Sequence, residues 1–284
     1  MSKSPVIRPI EENDLEAVVD VMAKSFTRRS HQYFREGLDR LAARRVPDGG
    51  QPWGYLIEDG GICGAVLSIS SDHDYGEQRQ TYTNISTWCV NPTHRGALAK
   101  ELYDTAGGPN HWVTTNLSAA EHTLKTLNKL KFRPQTTGQY IALANRKRPR
   151  GAYMLSLRES IREGLTDCHV ATMQNHAMRG CAVGCLATQD RLMPLIFLPR
   201  NIRRVLSGWQ LIYCEDMQYF IAHCRPVLPW LQRRGKMALI VDASADLPEF
   251  YGKFMAGKAA KFIRGADPLW DVDHSYSEMF YLGF

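Results

Sequence analysis

The chain has 284 residues, long for one compact unit and comfortable for two of about 140 each. Hydrophobic residues make up 44% and charged residues 23%, which implies packed cores and excludes wholesale disorder. The net charge of +6 suits a polyanionic partner; a nucleic acid is not expected, because the densest basic run, Arg146 to Arg150, has no interleaved aromatics and reads as a linker.

Val6 to Ile10 reads as a first strand. Asn13, with Glu16 three residues on, can cap a helix whose Leu15, Val18, Val19, Met22 and Phe26 share a face. A second helix, about 30 to 43, leads to the turn Pro47-Asp48-Gly49-Gly50, and 53 to 58 with 62 to 70 form a hairpin about Asp59-Gly60-Gly61. Thr83 to Leu102 holds a strand, a turn and a helix in immediate succession. Its β-branched and aromatic residues suit a buried strand, Pro92 ends it, and Ala97 to Leu102 are strong helix formers. The amides near Arg95 and Gly96 should therefore be free at a helix N-terminus, a natural seat for phosphate. Beyond Gly107-Gly108-Pro109, residues 111 to 116 read as a strand. Ser118 is a candidate cap for a helix from 119 to 131, and 139 to 144 is a closing strand.

From about 150 a second unit begins. Residues 153 to 178 read as largely helical, 182 to 188, 192 to 198 and 209 to 214 as strands, and 217 to 234 as a helix that Pro226 and Pro229 kink or split. Lys236 to Asp242 reads as a strand, 247 to 256 as a helix, and 259 to 264 and 278 to 284 as strands. The order mirrors the first half.

Val90-Asn91-Pro92-Thr93-His94-Arg95-Gly96, followed by Ala97 to Leu102, resembles the acyl-CoA signature of the GNAT acyltransferase superfamily, V-x-P-x-x-R-G-x-G-x-G/A-x-x-L. Ala97 and Ala99 stand where the family usually has glycines. Asn116 and Leu130-Lys131-Phe132 match the end of its next strand and its L-G-F helix end, and Leu127 stands where many members carry a thiolate-protonating tyrosine. The resemblance implies an α/β fold of two tandem GNAT-like domains, 1–148 and 149–284, each a mixed, mostly antiparallel sheet flanked by helices. It implies acetyl-CoA or another acyl-CoA as donor, with Trp88, Cys89 and Val90 holding the thioester arm and His94, Arg95, Gly96, Ala97 and Leu98 the pyrophosphate. The second half carries nothing like the Arg95-Gly96 turn.

Acyl transfer also needs an acceptor base and a thiolate acid. The central strand offers only Asn84, Ser86 and Thr87, so the candidate catalytic residues are His122, Ser118 and Asn116 at the closing helix, with His94 as a further titratable side chain. Asp267, Asp271, Asp273, His274 and Tyr276 form a polar knot that reads first as a turn, with a metal or base site as the other reading. The spacing of Cys181, Cys185, His169 and His176 fits no zinc pattern, and no metal is expected. The seven cysteines read as small buried hydrophobes in a reducing cytoplasm, with no membrane contact. The expected activity is transfer of an acetyl or longer acyl group to an amine, or as second choice a hydroxyl, by direct attack; the chain could act as a homodimer. The alternative is an inactive GNAT-fold ligand-binding or interaction module, to which the altered turn and missing acid and base also point.

Overall fold

The computed structural model describes residues 4–145, 151–202 and 206–283. The proposed linker at 146–150, and with it the proposed boundary after 148, lies outside the described residues.

The first half runs β1 (Val6–Pro9), α1 (Leu15–Ser25), α2 (His31–Ala42), β2 (Gly54–Glu58), β3 (Ile62–Asp74), β4 (Arg79–Val90), α3 (Ala97–Thr105), β5 (Val113–Asn116), α4 (Leu124–Lys129) and β6 (Arg133–Asn145). The second half runs β7 (Tyr153–Ser156), α5 (Leu157–Arg162), α6 (Asp167–Met178), β8 (Ala182–Ala187), β9 (Leu192–Ile202), β10 (Leu206–Cys214), α7 (Met217–His223), α8 (Val227–Gln232), β11 (Ala238–Ala243), β12 (Phe250–Gly265), β13 (Val272–Asp273) and α9 (Glu278–Tyr281). The strands form one mixed sheet in the order β1-β2-β3-β4-β5-β12-β6-β11-β10-β9-β8-β7, with β13 beside β10. Among the described residues only β4 with β5 and β10 with β11 pair in parallel; the other pairings are antiparallel, and helices flank the sheet.

The halves repeat one plan. Each is an antiparallel run of four strands, a bulge in the fourth, and a short parallel pairing with a fifth. Each then gives its next strand to the other. β12 lies between β5 and β6, and β6 pairs on its far side with β11. Phe262 of β12 consequently packs with Ile85, Leu102 and Tyr103, in the core of the first half. The chain end crosses back as well: Tyr281 and Leu282 pack with Leu38 and Leu41, and Arg40 Nε donates to the Tyr281 carbonyl at 2.5 Å.

Several elements differ from the sequence reading. Residues 153 to 156 form a strand before two separate helices, instead of continuous helix. Residues 250 to 256 belong to β12, because its ladders to β5 and β6 outweigh the local helical spacing. Residues 278 to 281 are helical, capped by Ser277 Oγ, which accepts from the Met279 amide at 3.3 Å. The first helix starts with a capping box of Glu11 and Asp14, not with Asn13. The closing helix is preceded by a 3-10 turn, 121 to 123, capped at Ala120, so Ser118 lies ahead of it and is no cap. The kink expected at Pro226 is present as the break between α7 and α8.

His176 and His274 are enclosed where the halves meet, and burial pushes both down to about 4. A histidine held neutral in the fold but protonated in the unfolded chain contributes stability above the ordinary pKa of 6.5 and loses it as pH falls through that window. The urea midpoint is therefore expected to fall between about pH 6.5 and 4, and less steeply in His274→Gln. A midpoint independent of pH across that range would contradict it.

Candidate active site

β4 and β5 pair only over Tyr82–Asn84 and Val113–Thr115, then part. On the other side of β4, Thr87 and Trp88 together oppose Val66, and Thr87 takes a φ of 50°. This bulge turns the strand away from β3 and interrupts the ladder next to the gap. The mostly β-branched and aromatic strand, a lone Pro92 and the turn at Gly96 then bring the start of α3 over the end of β4. Gly96 lies at φ 104° and ψ −127°, a conformation reserved for glycine. The first helical hydrogen bond runs from the Lys100 amide to the Gly96 carbonyl, and no side chain caps the helix, so the amides of Ala97, Leu98 and Ala99 have no helical partner.

A cavity of about 670 Å³ opens at this point. Trp88, Cys89, Val90, Arg95, Gly96 and Ala97 line it, together with Lys100, Lys129 and His122. Three cations and free helix amides on one wall suit a polyphosphate, while Phe26 and Val90 supply apolar surface. The Trp88 side chain lines this space, and its indole N–H is buried without a partner. His94 and Leu98 stand outside the lining. The His94 ring lies between Asp59, at 2.9 Å, and Thr93, whereas Leu98 packs on the first-half core. Cys89 is buried, with its thiol 3.6 Å from the Ala65 carbonyl, and burial pushes it up to about 11, so it is a poor nucleophile.

The three residues considered for catalysis are placed differently from one another. His122 is exposed on the cavity wall. Asn116 donates to the Tyr103 hydroxyl at 2.6 Å and accepts from the Ser118 amide at 3.2 Å, which ties its side chain down. Leu127 is fully buried among Leu102, Leu130 and Phe132.

Ser118 leads to a residue the sequence did not disclose. The gap between β4 and β5 is filled from the far end of the chain by Glu278. Its amide donates to Asn84 Oδ1 at 2.7 Å, and its carboxylate accepts from the Ser86 hydroxyl; Ser118 lies close enough to oppose the rise of its pKa. Glu278 is 1% exposed, and Oε1 is buried with no partner. Burial raises its pKa; the two serines, Lys261 and Arg200 oppose the shift without reversing it. A carboxylate thus occupies the position beside the central strand where the sequence offered only neutral side chains.

In the second half the equivalent parting of strands is occupied by the chain itself. β13 pairs with β10 through Tyr213 and Cys214, and the turn that follows carries Glu215 and Asp216 in place of an arginine and a glycine. Among the described residues no group of three or more His, Cys, Asp and Glu side chains could hold a metal, and no helix is long and apolar enough to cross a membrane.

No family model and no curated protein matches the sequence. Solved structures do match the fold. A GCN5-related N-acetyltransferase of Anabaena variabilis superimposes with a TM-score of 0.57 at 11% identity, covering 92% of this chain and 72% of that one. A provisionally assigned acetyltransferase of Pyrococcus horikoshii gives 0.52 at 11% identity, over 97% of this chain and 94% of that one. A glucosamine N-acetyltransferase region of a fungal multi-domain β-N-acetylglucosaminidase gives 0.51 at 12% identity, over 93% and 38%. The chain has the GNAT superfamily fold.

Gly96→Ala tests the turn. A Cβ there would meet nothing within 4 Å, but the backbone conformation is closed to alanine at about 1–3 kcal/mol, so the turn should shift. Acyl-CoA binding is expected to weaken by about tenfold or more with little loss of thermal stability, since the strain is relieved locally at an exposed turn. Unchanged binding by titration calorimetry would show that the turn does not face the donor.

Proposed function

We propose that the protein transfers an acetyl or longer acyl group from coenzyme A to an amine, with a hydroxyl as second choice, by direct attack on the thioester. The observation that carries this reading is the continuous cavity from the α3 amides and Arg95 to the bulged strand at Trp88–Val90. An interaction module that had lost the donor as well as the reaction would have no need to keep that channel open. The pyrophosphate would rest on Arg95, Lys100 and the free amides of Ala97 to Ala99, with the pantetheine arm running toward Trp88.

The acceptor would approach at the exposed Ser118, just beyond the end of β5. Ser118, exposed and next to Glu278, would pass the amine proton to the Glu278 carboxylate, which makes Glu278 a base acting through Ser118. Attack forms the C–N bond, the C–S bond breaks, and coenzyme A leaves as thiolate. A thiol of ordinary pKa, about 8.5, leaves without a dedicated acid, which is compatible with leucine at position 127. The raised pKa of Cys89 disfavours an acyl-cysteine intermediate.

A thiol-release assay with acetyl-CoA and octanoyl-CoA against a panel of primary amines, amino sugars and alcohols tests this reading. Amine-dependent release, with the amide product identified by mass spectrometry, is the expected result. Binding of acyl-CoA without turnover of any acceptor would assign the chain to the binding-module class instead.

A further inference from the structure

At the opposite end of β3, outside the acyl-CoA cavity, Ser71, His73 and Asp273 are aligned. Ser71 and His73 are two apart on one strand and so share a face. Asp273 comes from β13, two hundred residues later, and is held there by pairing with Tyr213 of β10. His73 Nδ1 lies 2.7 Å from Asp273 Oδ2, and His73 Nε2 lies 2.8 Å from Ser71 Oγ.

The hydrogen-bond inventory fixes the protons. Asp273 Oδ2 also accepts from the Tyr75 hydroxyl at 2.5 Å, and Oδ1 accepts from the Ser275 amide at 3.1 Å and hydroxyl at 2.5 Å. With three donors besides the imidazole, the carboxylate is ionised and has no proton to give. His73 Nδ1 must then carry a hydrogen, and in the neutral ring Nε2 presents its lone pair, to which the Ser71 hydroxyl donates. This is the tautomer a serine nucleophile needs. The imidazole is clamped as well, stacked on Tyr82 at 4.3 Å with Tyr276 edge-on at 5.9 Å.

A network serving only to join the halves would have no need of open space. These three residues instead wall a cavity of about 500 Å³, whose other sides include Tyr75, Asn175 and Tyr276. Ser71 pairs with Tyr82 of β4, four residues before Ser86, so the two sites are separated by about 13 Å of strand.

We propose that Ser71, His73 and Asp273 form a second catalytic site, a serine-nucleophile centre that hydrolyses small carboxylic esters in this cavity. Ser71 Oγ attacks the ester carbonyl while its proton passes to His73 Nε2. The C–O bond breaks and the alkoxide takes that proton, leaving an acyl-Ser71. Water then attacks the acyl group, gives a proton to Nε2, and releases the carboxylic acid as the proton returns to Ser71. Asp273 is a positioning residue that holds the ring and stabilises the imidazolium.

The full chain would be treated with a fluorophosphonate, the modified peptide mapped by mass spectrometry, and 4-nitrophenyl acetate hydrolysis followed in parallel. A single adduct on Ser71 is expected, with labelling and hydrolysis lost in Ser71→Ala, which sacrifices one hydrogen bond and should fold. In Asp273→Asn the ring is expected to take the other tautomer, and the labelling rate should fall by about 10³-fold or more. Circular dichroism and melting curves establish that each variant is folded, and Ser71→Ala alone suffices if the asparagine variant is not. Absence of a Ser71 adduct in folded wild type, hydrolysis unchanged in Ser71→Ala, or equal labelling in folded Asp273→Asn would each overturn the proposal.

Discussion

Glu278→Gln is expected to lower kcat for acyl transfer by about 10²–10⁴-fold while leaving acyl-CoA affinity within about twofold. Glutamine keeps the shape and can still bond Ser86, but it cannot take a proton. The carboxylate is buried between β4 and β5 and does not line the cavity proposed to hold the donor, which is why binding should be spared. The pH dependence separates this role from a structural one. Only ionised Glu278 can accept a proton, and burial raises its pKa above the usual carboxylate range. The wild-type rate should therefore climb with pH through that raised pKa, and the same limb should be absent in Glu278→Gln. Ser118→Ala is expected to lower kcat in the same direction but less, since water could replace the hydroxyl. A glutamine variant with wild-type kcat and an unchanged pH profile would remove Glu278 from the reaction.

Phe262→Ala is expected to destabilise the whole chain by about 3–5 kcal/mol. Its ring is 8% exposed and packs with Ile85, Leu102, Tyr103 and Phe132, all from the first half, although the residue belongs to the second. Its backbone lies between Asn116 of β5 and Pro134 of β6. The exchange of β6 and β12 means that loosening either strand opens both sheets. Urea unfolding followed by tryptophan fluorescence and by circular dichroism should then shift together, in one transition, in wild type and variant alike. Two separated transitions, or a loss below about 1 kcal/mol, would show that the exchanged strands do not couple the halves.

Local signals in the sequence were sufficient where one stretch determined its own structure. The strand ending at Pro92, the Gly96 turn and the helix from Ala97 are all present, and with them one side of the cavity lined by Trp88, Arg95 and Gly96. The hairpin about Gly60 and the split at Pro226 follow from the same short-range chemistry. The reading failed where distant pairing decides. Phe250 and Phe254 repeat at helical spacing, and only the ladder to β6 draws them into a strand. Asp273 looked like a turn residue and does accept from the Ser275 amide two positions on, at 3.1 Å; what the sequence could not show are the distant partners of this knot, Arg133 for Asp267, the Met217 amide at 2.7 Å for Asp271 and His73 for Asp273. Glu278 was invisible for the same reason. Its partner Ser86 is 192 positions earlier, and no periodicity in the chain end marks a carboxylate destined for the central notch.

The most direct measurement is a calorimetric titration of the folded protein with acetyl-CoA and with octanoyl-CoA, repeated on Arg95→Ala. One site per chain is predicted, weakened by about tenfold or more in the variant through loss of a charge on the pyrophosphate. Absence of binding to either donor, or binding indifferent to Arg95, would contradict the assignment of this cavity to an acyl-CoA.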